Sequence, residues 1–297
     1  MRIAQLILLA LFASFAGGCA SLAIGYERGN ANLSAGHDDA NGIAYLERKP
    51  AGDADVVVML HGFGANKDNW DDFCAAMPST MWLLAPDLPG FGDSARDEHQ
   101  SYDPEAEVQQ LARFISTHGI TRFHLLGNSY GGWVASAYAL AHPEQIESLV
   151  LFDPAGIEPP GGFKVPPPTR TKEDFDRMLK DIFAKPPDMP DSLKAAFVEQ
   201  AIKDQPFNDK IANDIRQRPG TVAAHLAELK VPVLVVWGDQ DHVLNVDTAP
   251  LWRDRVPDHL VVIMRETGHC PMIERPAESA ALVLRWWWSK NIATSRS

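Results

Sequence analysis

Leu125-Leu126-Gly127-Asn128-Ser129-Tyr130-Gly131-Gly132 is an apolar run that ends on a serine flanked by small residues, and its reading decides the fold. The spacing G-x-S-x-G fits a strand that turns sharply into a helix and holds the serine hydroxyl on a strained corner. Glycine is needed at 127 and 131 for a steric reason, because a Cβ at either position would collide across so tight a turn. Five residues alone are a weak signal, so the flanks must carry the rest. Phe123-His124-Leu125-Leu126 reads as a buried strand, and the alanine-rich stretch from Trp133 to Ala141 reads as a buried helix. The start of that helix would point partial positive charge at the serine.

A serine on such a corner is a poor nucleophile without a base in hydrogen-bond reach and an acid to orient the base. Both are found downstream. Val231-Pro232-Val233-Leu234-Val235-Val236-Trp237 is an apolar strand that runs into Gly238-Asp239-Gln240-Asp241-His242. Leu260-Val261-Val262-Ile263-Met264 is another, followed by Glu266-Thr267-Gly268-His269. Acid and histidine thus follow the C-terminal ends of strands, where open α/β sheets place their ligands. The chain order Ser129, Asp241, His269 separates this pattern from two other serine-protease orders. Upstream, Ala54-Asp55-Val56-Val57-Val58-Met59-Leu60 leads into His61-Gly62-Phe63-Gly64. The backbone N–H groups of Phe63 and Tyr130 are the candidate donors to a tetrahedral oxyanion.

The roles follow from chemical need. Ser129 Oγ would attack an acyl carbonyl, His269 would take and return the proton, and Asp241 would fix the imidazole tautomer. Two other acids compete with Asp241. Asp239 alternates to the opposite face of an extended segment, and Asp153 follows the strand Ser148–Phe152. Among the other histidines, His61 reads as a structural residue of its loop. His124 reads as a hydrogen-bonded core residue, and His242 as a rim residue.

His61-Gly62-Phe63-Gly64-Ala65-Asn66-Lys67-Asp68-Asn69-Trp70, Ala85-Pro86-Asp87-Leu88-Pro89-Gly90-Phe91-Gly92-Asp93-Ser94 and the serine turn together resemble the bacterial lipase and monoacylglycerol-lipase branch of the α/β-hydrolases. The similarity runs from about residue 43 to about residue 290 and is weakest over 155–225. It implies an α/β fold: a mostly parallel, eight-stranded sheet flanked by helices, with an inserted helical cap. It also implies hydrolysis of lipid-like carboxylic esters through an acyl-enzyme, with no cofactor and no metal. The chain carries Tyr130 where many such relatives carry Met. That change leaves a backbone N–H in place and alters the neighbouring acyl pocket.

A serine nucleophile argues against the epoxide hydrolases and haloalkane dehalogenases, which use aspartate there. All 5 tyrosines lie at or before Tyr138, so the cap holds none of the tyrosines an epoxide hydrolase needs. Two alternatives remain at this level: a carbon–carbon bond hydrolase of ring-cleavage products, and a non-catalytic lipid-binding lipoprotein.

Met1 to Phe15 has a basic start at Arg2 and an apolar core of about a dozen residues, short of the roughly 20 that span a bilayer. It fits a secretory signal, residues 1–18. Ala16-Gly17-Gly18-Cys19 resembles a bacterial lipobox, in which Cys19 is lipidated and becomes the mature N-terminus; Ala20 after it points to the outer membrane. A soluble periplasmic product and an uncleaved anchor are the alternatives. Residues 19–42 read as a small, polar tether. Of 3 cysteines, Cys74 and Cys270 remain, and they read as free buried thiols rather than a disulfide.

The chain has 297 residues, 45% hydrophobic and 22% charged, and carries a formal net charge of −12, with Arg2 the only charge in the leader. Such an acidic chain without a basic run is a poor nucleic-acid binder, and it would not dock electrostatically on anionic lipid. A covalent anchor is the natural route to a membrane. The core is read as 43–154 and 226–297. The intervening 155–225 opens with Pro159, Pro160, Pro166, Pro167 and Pro168, then continues in amphipathic segments at Lys172–Phe183, Asp191–Asp204 and Asn208–Arg218. Phe175, Met178, Leu179, Ile182 and Phe183 fall on one helical face.

Overall fold

The computed structural model describes residues 28–158, 168–220 and 222–292. The signal segment, Cys19 and Pro159, Pro160, Pro166 and Pro167 lie outside these residues. Eight strands form one sheet in the order β1-β2-β4-β3-β5-β6-β7-β8. They are β1 (Ser34–Asp38), β2 (Ile43–Arg48), β3 (Val56–Leu60), β4 (Trp82–Pro86), β5 (Phe123–Asn128), β6 (Ile146–Phe152), β7 (Val233–Gly238) and β8 (His259–Met264). The first two pairings, β1 with β2 and β2 with β4, are antiparallel, and all the others are parallel. The mostly parallel eight-stranded sheet expected from the sequence is what the chain forms.

The apolar runs are continuous because the central strands have helices on both faces. Successive residues point to opposite sides, so Leu125, Leu149 and Val235 enter one core layer while Leu126, Val150 and Val236 enter the other. The first layer is closed by α2 (Pro104–Thr117) and α3 (Tyr130–Ala141) through Leu111, Phe114, Val134 and Tyr138. The second is closed by α1 (Asp71–Ala76) and α6 (Pro276–Ser289) through Phe73, Val283, Trp286 and Trp287. Asp103 starts α2 by accepting the Ala106 N–H at 3.0 Å, with Pro104 as the first helical residue.

The folded unit begins before residue 43. Ser34–Asp38, expected within a polar tether, forms β1 and pairs residue by residue with β2, from Ser34 opposite Glu47 to Asp38 opposite Ile43. The Gly42 N–H closes the connecting turn on the Asp38 carbonyl at 2.7 Å. Ala31 is buried and Arg28 pairs with Asp68 at 2.6 Å. An edge strand of serine, glycine and aspartate buries little apolar surface, so hydrophobic periodicity does not reveal it.

Between β6 and β7 the chain leaves the sheet and forms α4 (Lys172–Ile182) and α5 (Asp191–Gln217). Thr171 and Asp174 cap α4 reciprocally. The faces expected to pack do so: Phe175, Leu179 and Phe183 are buried, and Phe175 stacks on Phe197 of α5 at 5.5 Å. The two segments expected at 191–204 and 208–218 are one helix that continues through Pro206. An interior proline costs a helix about 3 kcal/mol, so sequence favours a break there. Packing on both sides holds the helix together instead. Asp204 pairs with Arg96 at 2.7 Å, and Phe207 and Ile211 press on Tyr102 and the backbone at Gly90.

Candidate active site

The residues singled out from sequence gather at the carboxyl ends of the parallel strands. Ser129 follows β5 directly and takes φ 53°, ψ −117°, a conformation rarely open to a residue with a side chain. Such strain costs on the order of 1–3 kcal/mol and needs surrounding structure to maintain it. The Ser129 N–H donates to the Phe152 carbonyl at 3.0 Å, and the Ser129 carbonyl accepts from Trp133 and Ala155 at 3.1 and 3.0 Å. A Cβ on Gly127 would lie 2.4 Å from the Gly131 carbonyl oxygen. A Cβ on Gly131 would lie 2.4 Å from the carbonyl oxygens of Leu60 and His61. The turn therefore brings three backbone segments together with no room for a methyl group.

The loop after β3 closes over this corner, since a Cβ on Gly62 would sit 3.3 Å from Ser129 Cβ. His61 pins the loop. It is fully buried, its Nε2 accepts the Leu88 N–H at 2.9 Å, and its Nδ1 then carries the proton toward the Gly62 carbonyl at 2.8 Å. Burial pushes His61 down to about 4, which keeps it neutral. Lys67 and Asp87 anchor the far end of the loop. Their side chains meet at 2.7 Å while Asp87 also accepts the N–H groups of Lys67 and Asp93 at 2.6 and 2.8 Å. Phe63 is 41% exposed at the mouth of the site, edge-on to Phe91 at 5.4 Å and to Tyr130 at 6.3 Å. Tyr130 opens α3; its phenol is buried and donates to the Tyr102 carbonyl at 3.0 Å. Burial and the neighbouring Glu107 push that phenol well up, so it stays protonated.

Asp241 and His269 come together from the ends of β7 and β8. Nδ1 of His269 lies 2.7 Å from Asp241 Oδ2, and both residues are buried. The other Asp241 oxygen accepts the N–H groups of Val243 and Leu244 at 2.8 and 2.9 Å. An anion with three donors is well held. The histidine loop is fixed in turn: the His269 N–H donates to the Ile182 carbonyl at 2.7 Å, and Glu274 accepts the Gly268 and Ala184 N–H groups at 2.6 and 2.9 Å.

The competing residues fall elsewhere. Asp239 and His242 are exposed, and Asp239 accepts only a long contact from the Thr267 N–H at 3.3 Å. His124 is a buried residue of β5 bonded to Ser148 Oγ at 2.9 Å, and burial lowers it to about 4. Cys74 and Cys270 are free and buried, and burial keeps both as thiols. Asp153 is different: it is fully buried, and one oxygen each from Asp153, Asp241 and His269's ring nitrogen lie within 4.8 Å of one another.

One connecting residue was not singled out in the sequence. Asn128, between Gly127 and the serine, donates through its amide to the carbonyls of Phe152 and His269, both at 3.0 Å. It ties the serine corner to the histidine loop 141 residues away. Its position inside the G-x-S-x-G run was the available signal. Glu274 offered none, because an acid near a chain reversal is unremarkable until the loop it caps is seen.

The chain matches the α/β-hydrolase family over residues 57–282. It is 34% identical to Lipase 1 of Psychrobacter immobilis over 235 residues, covering 75% of this chain and 74% of that one. It is 28% identical to the monoacylglycerol lipase ABHD6 of Homo sapiens over 268 residues, 84% of this chain and 79% of that one. A solved structure described as a membrane phospholipase A and bacterial virulence factor superimposes with a TM-score of 0.84 at 35% identity, over 99% of this chain and 94% of that one. With the strand order, the serine corner and these matches together, the chain belongs to the α/β-hydrolase family.

Proposed function

We propose that this chain is a lipase-like carboxylic-ester hydrolase with Ser129 as nucleophile, His269 as base and Asp241 as the acid that orients it. The observation that carries the reading is the 2.7 Å bond between His269 Nδ1 and Asp241 Oδ2 beside the strained Ser129 corner. With the Nδ1 proton committed to Asp241, the lone pair on Nε2 is free to accept the Ser129 Oγ proton. Oγ then attacks the ester carbonyl, and the oxyanion is received by the backbone N–H groups of Phe63 and Tyr130. The positive end of α3 adds to that stabilisation. His269 returns the proton to the departing alcohol, leaving an acyl-Ser129. Water activated by the same histidine releases the acid. The matched lipase and monoacylglycerol lipase support an ester of lipid type.

In this reading residues 155–225 form a cap over the serine. Asn208 of α5 approaches the Phe63 loop to within 3.9 Å of a Cβ on Gly64, which supports that placement. We also propose that Cys19 carries a lipid anchor after removal of residues 1–18. No helix among the described residues is long and apolar enough to cross a membrane. Two or three acyl chains hold a protein firmly where one holds it only marginally. Metabolic labelling with a palmitate analogue, lost in Cys19→Ser, checks the anchor.

The direct test is hydrolysis of p-nitrophenyl esters from C2 to C16 by protein lacking residues 1–19, beside Ser129→Ala. Activity should peak at medium or long chains, and the variant should fold normally and lose about 10⁶-fold in kcat, as in a comparable triad. A variant with near wild-type turnover removes Ser129 from the chemistry. A wild-type protein inactive at every chain length points to ring-cleavage dienones as the next substrates.

A further inference from the structure

Asp153 lies one residue past β6, beside the Asp241–His269 pair, and the ester-hydrolase reading gives it no task. Its backbone takes φ 45°, and its N–H donates to the Val236 carbonyl at 2.9 Å. The carboxyl is fully buried. Oδ1 accepts the Gly238 N–H at 2.9 Å, while Oδ2 has no donor within reach. The groups that face it are Asp241 after β7, His269 and Cys270 after β8, and Glu274 of the following helix. None is a permanent cation.

Two buried carboxylates this close cannot both ionise beside one histidine. The donor count decides which keeps the charge. Asp241 has two backbone N–H groups and the imidazole N–H, whereas Asp153 has one backbone N–H. A neutral Asp153 carries an O–H on the oxygen that otherwise has no partner, and the Asp241 carboxylate, with an oxygen within 4.8 Å, is the acceptor available to it. Burial, the Asp241 charge and that shared hydrogen bond all push Asp153 well above the ordinary carboxylate range; only the Gly238 N–H opposes them.

We propose that Asp153 is a positioning residue held as the neutral acid, donating its proton to the Asp241 carboxylate. This rests on the proposed roles of Asp241 and His269. The donated hydrogen bond adds a further donor to the Asp241 carboxylate and fixes it beside the histidine. It also draws negative charge away from Asp241, which lessens that carboxylate's attraction for an imidazolium.

Asp153→Asn and Asp153→Ala separate this from its competitors. The amide of asparagine can still donate to Asp241 and accept from Gly238, and asparagine tolerates positive φ. Its kcat/KM should stay within about threefold of wild type with the acid limb of the pH profile unmoved. Alanine removes the donor, and the acid limb should move to higher pH. Active-site titration with a fluorophosphonate normalises each rate to folded enzyme. An asparagine variant that loses more than about tenfold, or whose acid limb falls, overturns the proposal, because it marks Asp153 as an anion supporting the imidazolium.

Infrared difference spectra of wild type minus Asp153→Asn at neutral pH give a readout independent of turnover. A protonated-carboxyl stretch lost in the variant is expected, and a lost carboxylate band refutes the assignment. Full activity in Ser129→Ala would strike the ester-hydrolase reading instead, while the infrared result would still settle the protonation of Asp153.

Discussion

The corner at Ser129 and the helical stretch between β6 and β7 are built on different principles. Around the serine, backbone meets backbone. The space for a Cβ is only 2.4 Å at Gly127 and Gly131, and 2.1 Å at Gly238 against the Gly268 carbonyl. No side-chain rearrangement relieves such contacts, so residue type and spacing are dictated. In α4 and α5 the contacts are between side chains, such as Phe175 on Phe197, with salt bridges such as Arg96–Asp204 around them. Many residues of the right size satisfy these contacts. The proposed chemistry thus lies in the part whose residues are dictated, and the part proposed to cover the substrate is the one that can vary.

The comparison can be broken at either end. Asp241→Asn should lower kcat by about 10⁴-fold with little change in melting temperature, by analogy with the triad template. A small effect there would dissolve the link between the rigid corner and the chemistry. Phe197→Ala should destabilise the fold by about 3–5 kcal/mol in a thermal melt, as for other buried aromatics. The rate on short esters per folded molecule should remain near wild type, while long-chain esters lose preference. Equal losses at C2 and C12 would deny the helices a role in acyl selection. Gly131→Ala, a change of one methyl group, should cost about 1–3 kcal/mol in the same melt. It should nevertheless reduce kcat far more than Phe197→Ala does, because the Leu60 and His61 carbonyls, next to the proposed oxyanion donor Phe63, must shift.

The same distinction sets what the sequence could disclose. The strands β3, β5, β6, β7 and β8 are apolar runs bounded by polar turns, and the serine corner announces itself by the glycines it cannot do without. Asp241 and His269 could be proposed from sequence because each follows an apolar strand. Strand β1 was not, since Ser34, Gly36 and Asp38 carry no hydrophobic alternation, and its evidence is the pairing with β2. The continuity of α5 through Pro206 was hidden for the opposite reason: local propensity spoke for a break, and tertiary packing on Tyr102 and the Gly90 segment overrode it. Asp153 was visible only as a competitor for the Asp241 position. That both carboxyls lie within 4.8 Å of one histidine's ring nitrogen depends on β6 and β7 being neighbours, which the linear sequence does not state.

Glu107 on α2 faces inward toward Tyr130, is 1% exposed, and has no hydrogen-bond donor at either oxygen. Burial, assisted by Asp103, drives its carboxyl well above the usual range, so the folded chain keeps the proton there. An unfolded chain releases that proton near pH 4.3. Folding at neutral pH therefore takes a proton up from solution. Between the unfolded and folded values, stability must fall as pH rises, by up to about 1.4 kcal/mol per pH unit from this group alone. Below the unfolded value both states hold the proton and the penalty vanishes. Glu107→Gln should flatten that part of the stability profile in denaturant titrations across pH 4–8, with the variant gaining on wild type as pH rises. This one buried carboxyl thus makes the fold more stable in a mildly acidic medium than in an alkaline one.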